Sequence, residues 1–180
     1  RYLVRSRGLG DVYKRQPEKN QLWISNGRKS WCESRDGTIL NTNLSQNKRR
    51  IHDMTIVTSK NHRNQTLKKV IEKLNFKDQI VMGSVGCKIA SILRGESNIY
   101  ICLSLPGKSS PKDWDFAAPE AILKTAGGSM TNLNSSELSY GGSNFEQGGI
   151  IVATSDKFSH KSICSEIMQV IRKFDLYPFD

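Results

Sequence analysis

The feature that most constrains the fold is a regular alternation of short apolar strands and amphipathic helices after Met54. Three short apolar runs predict strands: Met54–Thr58, Gln79–Met82 and Asn98–Leu105. Helical spacing of apolar residues predicts two helices between them, carrying Leu67, Val70, Ile71 and Leu74 in the first and Ile89, Ile92 and Leu93 in the second. This alternation favours an α/β fold with a mostly parallel sheet flanked by helices.

A third helix is marked by its terminal residues. Asp115 is predicted as its N-cap, Pro119 as a first-turn residue and Gly127-Gly128 as its end. Two further strands and a last helix complete a predicted carboxyl-terminal α/β domain, residues 53–180: Ser129–Asn132, Gly148–Thr154 and about Ser159–Lys173.

The segment Leu22–Leu40 does not follow this alternation. Two apolar-aromatic runs flank Asn26-Gly27, a strong hairpin signal, and a second turn is predicted at Asp36-Gly37. We interpret residues 17–52 as a remnant hairpin and loop of a separate, antiparallel amino-terminal sheet.

Residues 1–16, RYLVRSRGLGDVYKRQ, show neither a helical nor a strand period. They hold five basic residues and one acid, so they supply +4 of the net +10 and leave +6 for residues 17–180. Their last six residues, Asp11–Gln16, resemble a translated sequencing adaptor, and we interpret 1–16 as a non-native segment that replaces the natural sequence. The alternative is a basic arm for nucleic acid or anionic lipid.

Composition narrows the class of partner. Apart from Lys48-Arg49-Arg50, the basic residues of 17–180 are scattered and do not alternate with aromatic residues, so nucleic-acid binding is not expected. A small polyanionic substrate fits the same charge. The apolar runs are too short to span a membrane. Four cysteines without metal-binding spacing indicate buried thiols in a reducing, cytoplasmic compartment, with disulfides as the alternative.

Polar loops follow two of the predicted strands and precede the third helix. Ser59-Lys60-Asn61-His62-Arg63 follows the first strand, and Gly83-Ser84-Val85-Gly86-Cys87-Lys88 leads from the second strand into a helix whose cap is Ser84. Ligands bind at the carboxyl ends of strands in α/β sheets, and a helix amino terminus offers donors to an anion. A carboxylate at a helix start, Asp115, suits Mg²⁺, and Trp114 is predicted to wall the site.

These motifs carry a family resemblance. Trp114-Asp115-x-Ala117-Ala118-Pro119-Glu120 with its trailing Ala-Gly-Gly resembles the carboxyl-terminal signature of the inositol monophosphatase superfamily. Together with Ser59-x-x-His62 and Gly83-Ser84-Val85-Gly86-x-Lys88, it looks most like the 3′(2′),5′-bisphosphate nucleotidase branch. The resemblance implies an αβαβα layered sandwich and a Mg²⁺-dependent phosphatase that acts on adenosine 3′,5′-bisphosphate, a by-product of sulfur assimilation.

The resemblance also implies roles for individual residues. Asp115 resembles a metal ligand. The positions that resemble contacts to the nucleotide and its phosphate are Ser59, His62, Gly83, Ser84, Gly86 and Lys88. It further implies a phosphorylated small molecule as partner and a possible homodimer for the full-length protein.

Residues 17–180 lack the family's metal-binding Glu and its Asp-Pro-x-Asp-Gly-Thr motif. The Asp36-Gly37-Thr38 string has no preceding Asp-Pro pair and is interpreted as a turn. Metal-assisted phosphoryl transfer needs several carboxylates, so no catalytic residue is assigned, and this chain is expected to be inactive as a fragment. Two alternatives stay open: an inositol or other sugar phosphatase of the same superfamily, and a non-catalytic anion- or nucleic-acid-binding module.

Overall fold

The computed structural model describes residues 12–16, 20–42, 44, 47–60, 64–142 and 144–179. A four-stranded antiparallel sheet contains, in spatial order, β1 (Val12–Gln16), β2 (Gln21–Ser25), β3 (Ser30–Ser34) and β4 (Ile39–Asn41). A second, five-stranded sheet is built from β5 (Thr55–Ser59), β6 (Asp78–Met82), β7 (Ile99–Ser104), β8 (Ser129–Asn132) and β9 (Gly149–Thr154). The helices are α1 (Gln65–Leu74), α2 (Val85–Leu93), α3 (Asp113–Thr125) and α4 (Lys157–Lys173).

The five-stranded sheet is mixed, with the spatial order β6-β5-β7-β9-β8. β5 pairs in parallel with β6 and β7, whereas β9 runs antiparallel to both β7 and β8. Four of its five strands therefore point the same way. The predicted α/β class with a mostly parallel sheet is confirmed.

The elements stack in layers around two apolar clusters. One cluster lies between the two sheets and is filled mainly by α2 and α3, and the other lies between the five-stranded sheet and helices α1 and α4. On β2 and β3, the side chains of Trp23 and Cys32 are buried in the first cluster, whereas Leu22, Ile24 and Trp31 alternate onto the opposite face and are half-buried. The layering matches part of an αβαβα sandwich. None of the helices in the described ranges is long and apolar enough to span a membrane.

Both turns expected in the first sheet form. β2 and β3 are joined by residues 26–29, where the side-chain oxygen of Asn26 accepts hydrogen bonds from the backbone N–H groups of Arg28 and Lys29 at 3.1 and 2.9 Å. Between β3 and β4, Asp36 Oδ1 accepts from the backbone N–H of Thr38 at 3.0 Å. Asx side chains fold back on the backbone in this way in tight turns. The Asp-Gly-Thr string is therefore a turn.

The sequence of residues 1–16 predicts no strand, but residues Val12–Gln16 form strand β1. β1 pairs antiparallel with β2 over its whole length, from Val12 opposite Ser25 to Gln16 opposite Gln21. An edge strand is held by backbone hydrogen bonds along one side only, and its side-chain pattern is a weak guide. The adaptor interpretation and the boundaries at 16 and 52 stay predictions.

The predicted start of α3 was wrong by three residues. The helix begins at Asp113 with Lys112 as N-cap, so Asp115 is its third residue and Pro119 lies in its second turn. Asp115 Oδ2 accepts a hydrogen bond from the backbone N–H of Lys112 at 3.1 Å, as the acidic third residue of a capping box does. In the sequence, an aspartate at the third position of a helix is easily mistaken for the N-cap itself. The helix end is as predicted, because Gly127 has φ +99°.

Gly128, the next residue, is required because the backbone passes close to its neighbours. A Cβ at this position would lie 2.7 Å from the Thr154 carbonyl oxygen and 2.6 Å from Leu123 Cδ1. Only glycine lets the chain leave α3 so close to β9.

Candidate active site

Polar residues at the carboxyl ends of β5, β6 and β7 meet at one edge of the five-stranded sheet, as the parallel direction of these strands predicts. They border a cleft of about 660 Å³ at the carboxyl ends of β6, β5 and β7. Of the predicted site residues, the cleft brings together Ser59, Gly83, Ser84, Lys88 and Asp115. The far wall is the loop from Leu105 to Pro111, which leads into α3.

The amino terminus of α2 forms one side of the cleft. The Ser84 hydroxyl accepts a hydrogen bond from the backbone N–H of Cys87 at 3.2 Å, so the predicted cap is confirmed. The positive end of the helix dipole favours an anion there.

Lys88, one turn into α2, is not the surface lysine that an ordinary capped turn would carry. Its side chain is buried, with only 2% of the residue exposed, and Nζ donates to the Gly83 carbonyl oxygen at 2.5 Å. Desolvation lowers the pKa of Lys88 to about 8, although Cys102, Cys87 and Asp115 act in the opposite direction. An anion that binds in the cleft would therefore stabilise the charged form of this buried ammonium group.

Asp115 provides the carboxylate of the cleft. It is half-buried, and its bond to the Lys112 N–H fixes the side chain at the start of α3. Asp115 is the one acidic side chain that lines the cleft in the described ranges, and no group of three His, Cys, Asp or Glu residues suited to a metal is found there.

The donor set therefore fits one ligand position of a hard cation. Mg²⁺ commonly takes one or two carboxylates and fills its other positions with water and substrate phosphate oxygens. Asp115 can provide one such carboxylate ligand. A site with several carboxylates would need ligands beyond those described here.

Two residues predicted to belong to the site, Gly86 and Trp114, do not line the cleft. Gly86 is buried in α2 and lies beside Trp23 and Pro119, away from the cleft lining. Trp114 does not wall the cleft: its side chain is 55% exposed and packs against Phe145 with ring centroids 6.1 Å apart. His62 lies outside the described residues.

Asp113 was not recognised in the sequence, where it stands beside Asp115. It is buried, and its two carboxylate oxygens accept from the Gly141 N–H at 2.7 Å and from Gln147 Nε2 at 2.6 Å. Residues two positions apart on a helix point about 200° apart, so Asp115 lines the cleft and Asp113 anchors the loop before β9. Asp113 is a structural residue.

Tyr100 and Cys102 line the floor of the cleft and were also missed. Both sit in an apolar strand sequence, which carries no signal for a polar role. Burial raises the pKa of each group, so the thiol and the phenol are protonated at neutral pH. All four cysteines of the chain are free thiols.

Comparison with known proteins identifies the family. The profile of the inositol monophosphatase family matches residues 9–172. The 3′(2′),5′-bisphosphate nucleotidase 1 of Mus musculus is 34% identical over 85 residues, covering 47% of this chain and 26% of the relative. The Golgi-resident adenosine 3′,5′-bisphosphate 3′-phosphatase of Mus musculus is 27% identical over 119 residues, covering 62% of this chain and 32% of the relative.

Solved structures share the fold. A staphylococcal inositol monophosphatase, SaIMPase-II bound to inositol monophosphate, superposes with a TM-score of 0.70 at 15% identity, covering 92% of this chain and 58% of that chain. The alignment with the mouse nucleotidase spans about a quarter of that relative. The family profile extends over most of the present sequence, and the resemblance drawn from the Trp-Asp signature is confirmed at this level. The chain belongs to the inositol monophosphatase family.

Proposed function

We propose that this chain supplies the phosphate-binding part of a Mg²⁺-dependent phosphatase that removes the 3′-phosphate of adenosine 3′,5′-bisphosphate. The observation that carries the proposal is the buried Lys88 ammonium at the amino terminus of α2, in the same cleft as the Asp115 carboxylate. The sequence matches to two bisphosphate nucleotidases favour a nucleotide bisphosphate over other phosphorylated small molecules.

Each residue of the cleft has a proposed part in binding. Lys88 neutralises a phosphate group, and the first-turn N–H groups behind the Ser84 cap donate to its oxygens. Ser59, at the end of β5, donates a third hydrogen bond from the opposite wall. His62 and Gly83 are proposed to contact the nucleotide through the side chain and the backbone, respectively.

Asp115 is proposed to hold Mg²⁺. When bound, the metal supplies charge neutralisation at the phosphoryl oxygens and lowers the pKa of a coordinated water. The carboxylate itself is pre-oriented, because its hydrogen bond to the Lys112 N–H fixes it at the start of a 13-residue helix.

These 180 residues are proposed to bind the substrate without turning it over. Asp115 is the one acidic side chain that lines the cleft in the described ranges, and a single carboxylate does not hold the cations that hydrolysis of a phosphate monoester needs. The rest of the metal site is proposed to come from carboxylates outside this sequence. A reducing, cytoplasmic setting and a homodimer of the whole protein stay predictions.

Binding of adenosine 3′,5′-bisphosphate to the 180-residue chain, measured by calorimetry with and without Mg²⁺, tests the proposal. We expect micromolar to millimolar affinity that strengthens with Mg²⁺, and at least a tenfold loss in Lys88→Met. Lys69→Met is the matched control, because this lysine is exposed on α1 and outside the cleft.

Other outcomes would assign the site differently. Equal affinity for inositol 1-phosphate would favour a sugar phosphatase, and salt-sensitive binding to DNA without nucleotide binding would favour a nucleic-acid module. Robust phosphate release by the 180-residue chain would contradict the proposed inactivity while leaving the binding site in place.

A further inference from the structure

Tyr100 occupies the floor of the cleft where two strands separate. β5 and β7 pair in parallel only at Ile56 with Ile99 and at Val57 with Tyr100. Beyond that point the strands diverge, and the cleft opens between them. Only 2% of Tyr100 is exposed, so its hydroxyl must find partners inside the protein.

Those partners connect the two diverging strands. The Tyr100 hydroxyl interacts with the side chain of Ser59 at the end of β5 and with that of Cys102 on its own strand, and Cys102 in turn interacts with Ser104. All four side chains line the cleft. Since the backbones no longer pair at Ser59, the contact with Tyr100 ties this hydroxyl to β7.

The ring of Tyr100 acts on a second cleft residue. Lys88 Nζ lies 5.1 Å from the ring centroid, on the π face, while it donates to the Gly83 carbonyl oxygen on another side. A cation over an aromatic face is stabilised in its charged form, and more so when it is desolvated. The ring therefore helps a buried lysine to stay protonated and fixes where its charge lies.

We propose that Tyr100 is a positioning residue that sets both the Ser59 hydroxyl and the Lys88 ammonium for phosphate binding. The inference rests on the proposed function, because it assigns these two groups to one anion. Tyr100 acts through them and does not itself touch the phosphate.

Two substitutions separate the hydroxyl from the ring. Tyr100→Phe keeps the ring over Lys88 and removes the hydroxyl that interacts with Ser59, whereas Tyr100→Leu removes both. The probe is inorganic phosphate, titrated into the full 180-residue chain by calorimetry from pH 6.5 to 9.5. Tyr140→Phe is the control, because it also deletes a hydrogen-bonded tyrosine hydroxyl, the one that donates to Glu120, outside the cleft.

We expect phosphate affinity near pH 7 to fall about threefold in Tyr100→Phe and at least tenfold in Tyr100→Leu, and to stay unchanged in Tyr140→Phe. The pH above which affinity declines should move down in Tyr100→Leu alone, since the ring no longer supports the charged lysine. The other ionisable groups coupled to Lys88 stay in place: Cys87, Cys102 and Asp115.

A purely structural role would lower thermal stability without this shift in the pH profile. Wild-type affinity and an unmoved pH profile in folded Tyr100→Phe and Tyr100→Leu would overturn the positioning role. If Tyr100→Leu does not fold, undiminished affinity in Tyr100→Phe overturns the part assigned to the hydroxyl. A wild-type chain that binds no phosphate would instead overturn the proposed function and this inference with it.

Discussion

The two sheets of this protein differ in how they are covered. The five-stranded sheet has helices on both faces, and every residue of its strand β7 is buried. The four-stranded sheet contacts α2 and α3 with one face only, and its strand β4 leaves Ile39 60% and Leu40 52% exposed. A strand buried on both faces tolerates apolar residues throughout, whereas a half-covered sheet alternates.

This difference determines where the site can form. The cleft lies at the carboxyl ends of strands in the covered sheet, which has helices packed on both faces. The four-stranded sheet contributes no residue to the cleft lining in the described part of the chain. Its part is to cover α2 and α3 from behind, through Trp23 and Cys32.

The largest expected effect is a difference in unfolding free energy between alanine variants of two isoleucines, one on each sheet. Ile101→Ala, in β7 with 1% of the residue exposed, should lower the free energy of unfolding by about 2–5 kcal/mol, because it leaves a cavity in a covered layer. Ile39→Ala, in β4, should change it by less than about 0.5 kcal/mol. Urea denaturation measures both, and similar losses would mean that both sheets are equally well covered.

The elements that the sequence predicts correctly are those with local signals. Helical spacing in Leu67–Leu74 and the glycines after α3 are local signals, and the elements they predict are present. Strand β1 was missed because it is an edge strand whose pairing with β2 is made by the backbone and leaves little pattern in the side chains. The first residue of α3 was missed because the partners of Asp113, Gly141 and Gln147, are distant in sequence.

The site shows the same division. Ser84 and Asp115 lie next to helix starts and are predictable from capping rules. The burial of Lys88 and the place of Tyr100 under it follow from how α2 packs on β7, which no local pattern contains. Gly86, conversely, stands inside a glycine-rich motif but is buried in α2 on the side of Trp23 and Pro119, outside the cleft lining.

A second prediction concerns the cost of burying Lys88 in the covered sheet. Its pKa is about 8 in the folded chain and 10.5 when unfolded, so between these values the unfolded state binds more protons and stability rises with pH. Lys88→Met should therefore be more stable than wild type at pH 7, by up to about 3 kcal/mol, and the advantage should vanish near pH 10.5.

The comparison is made as a difference between two urea series from pH 7 to 10.5. Buried tyrosine and cysteine groups titrate in the same range with the opposite sign, but they are present in both chains and cancel. Parallel curves for wild type and Lys88→Met would show that the lysine is solvated after all.

The third prediction tests a polar group buried between α4 and β9. Both ring nitrogens of His160 are bonded to hydroxyls, of Thr131 and Thr154, at 2.8 Å, and desolvation lowers its pKa to about 4. Because the unfolded imidazole takes up its proton near pH 6.5, stability should fall by up to about 3 kcal/mol as the pH falls from 6.5 to 4.

His160→Gln should flatten this acid limb, measured by urea denaturation from pH 4 to 7. His52→Gln, at an exposed position, is the control and should keep the limb of the wild type. An unchanged limb in His160→Gln would show that carboxylates alone set the acid sensitivity.

The smallest effect is expected at the half-covered sheet, in the β4 strand that ends it in the described part of the chain. Ile39→Lys places a charge on an exposed edge, which should change unfolding free energy by about 0.5 kcal/mol or less, since the side chain has little contact to lose. The same charge should slow aggregation, because an apolar edge strand is a template for intermolecular pairing. Light scattering at matched concentration, with Lys69→Ile as the reverse change on a covering helix, measures this directly. Equal scattering of Ile39→Lys and wild type would show that this edge is already protected, and the contrast between the two sheets would then reduce to core packing alone.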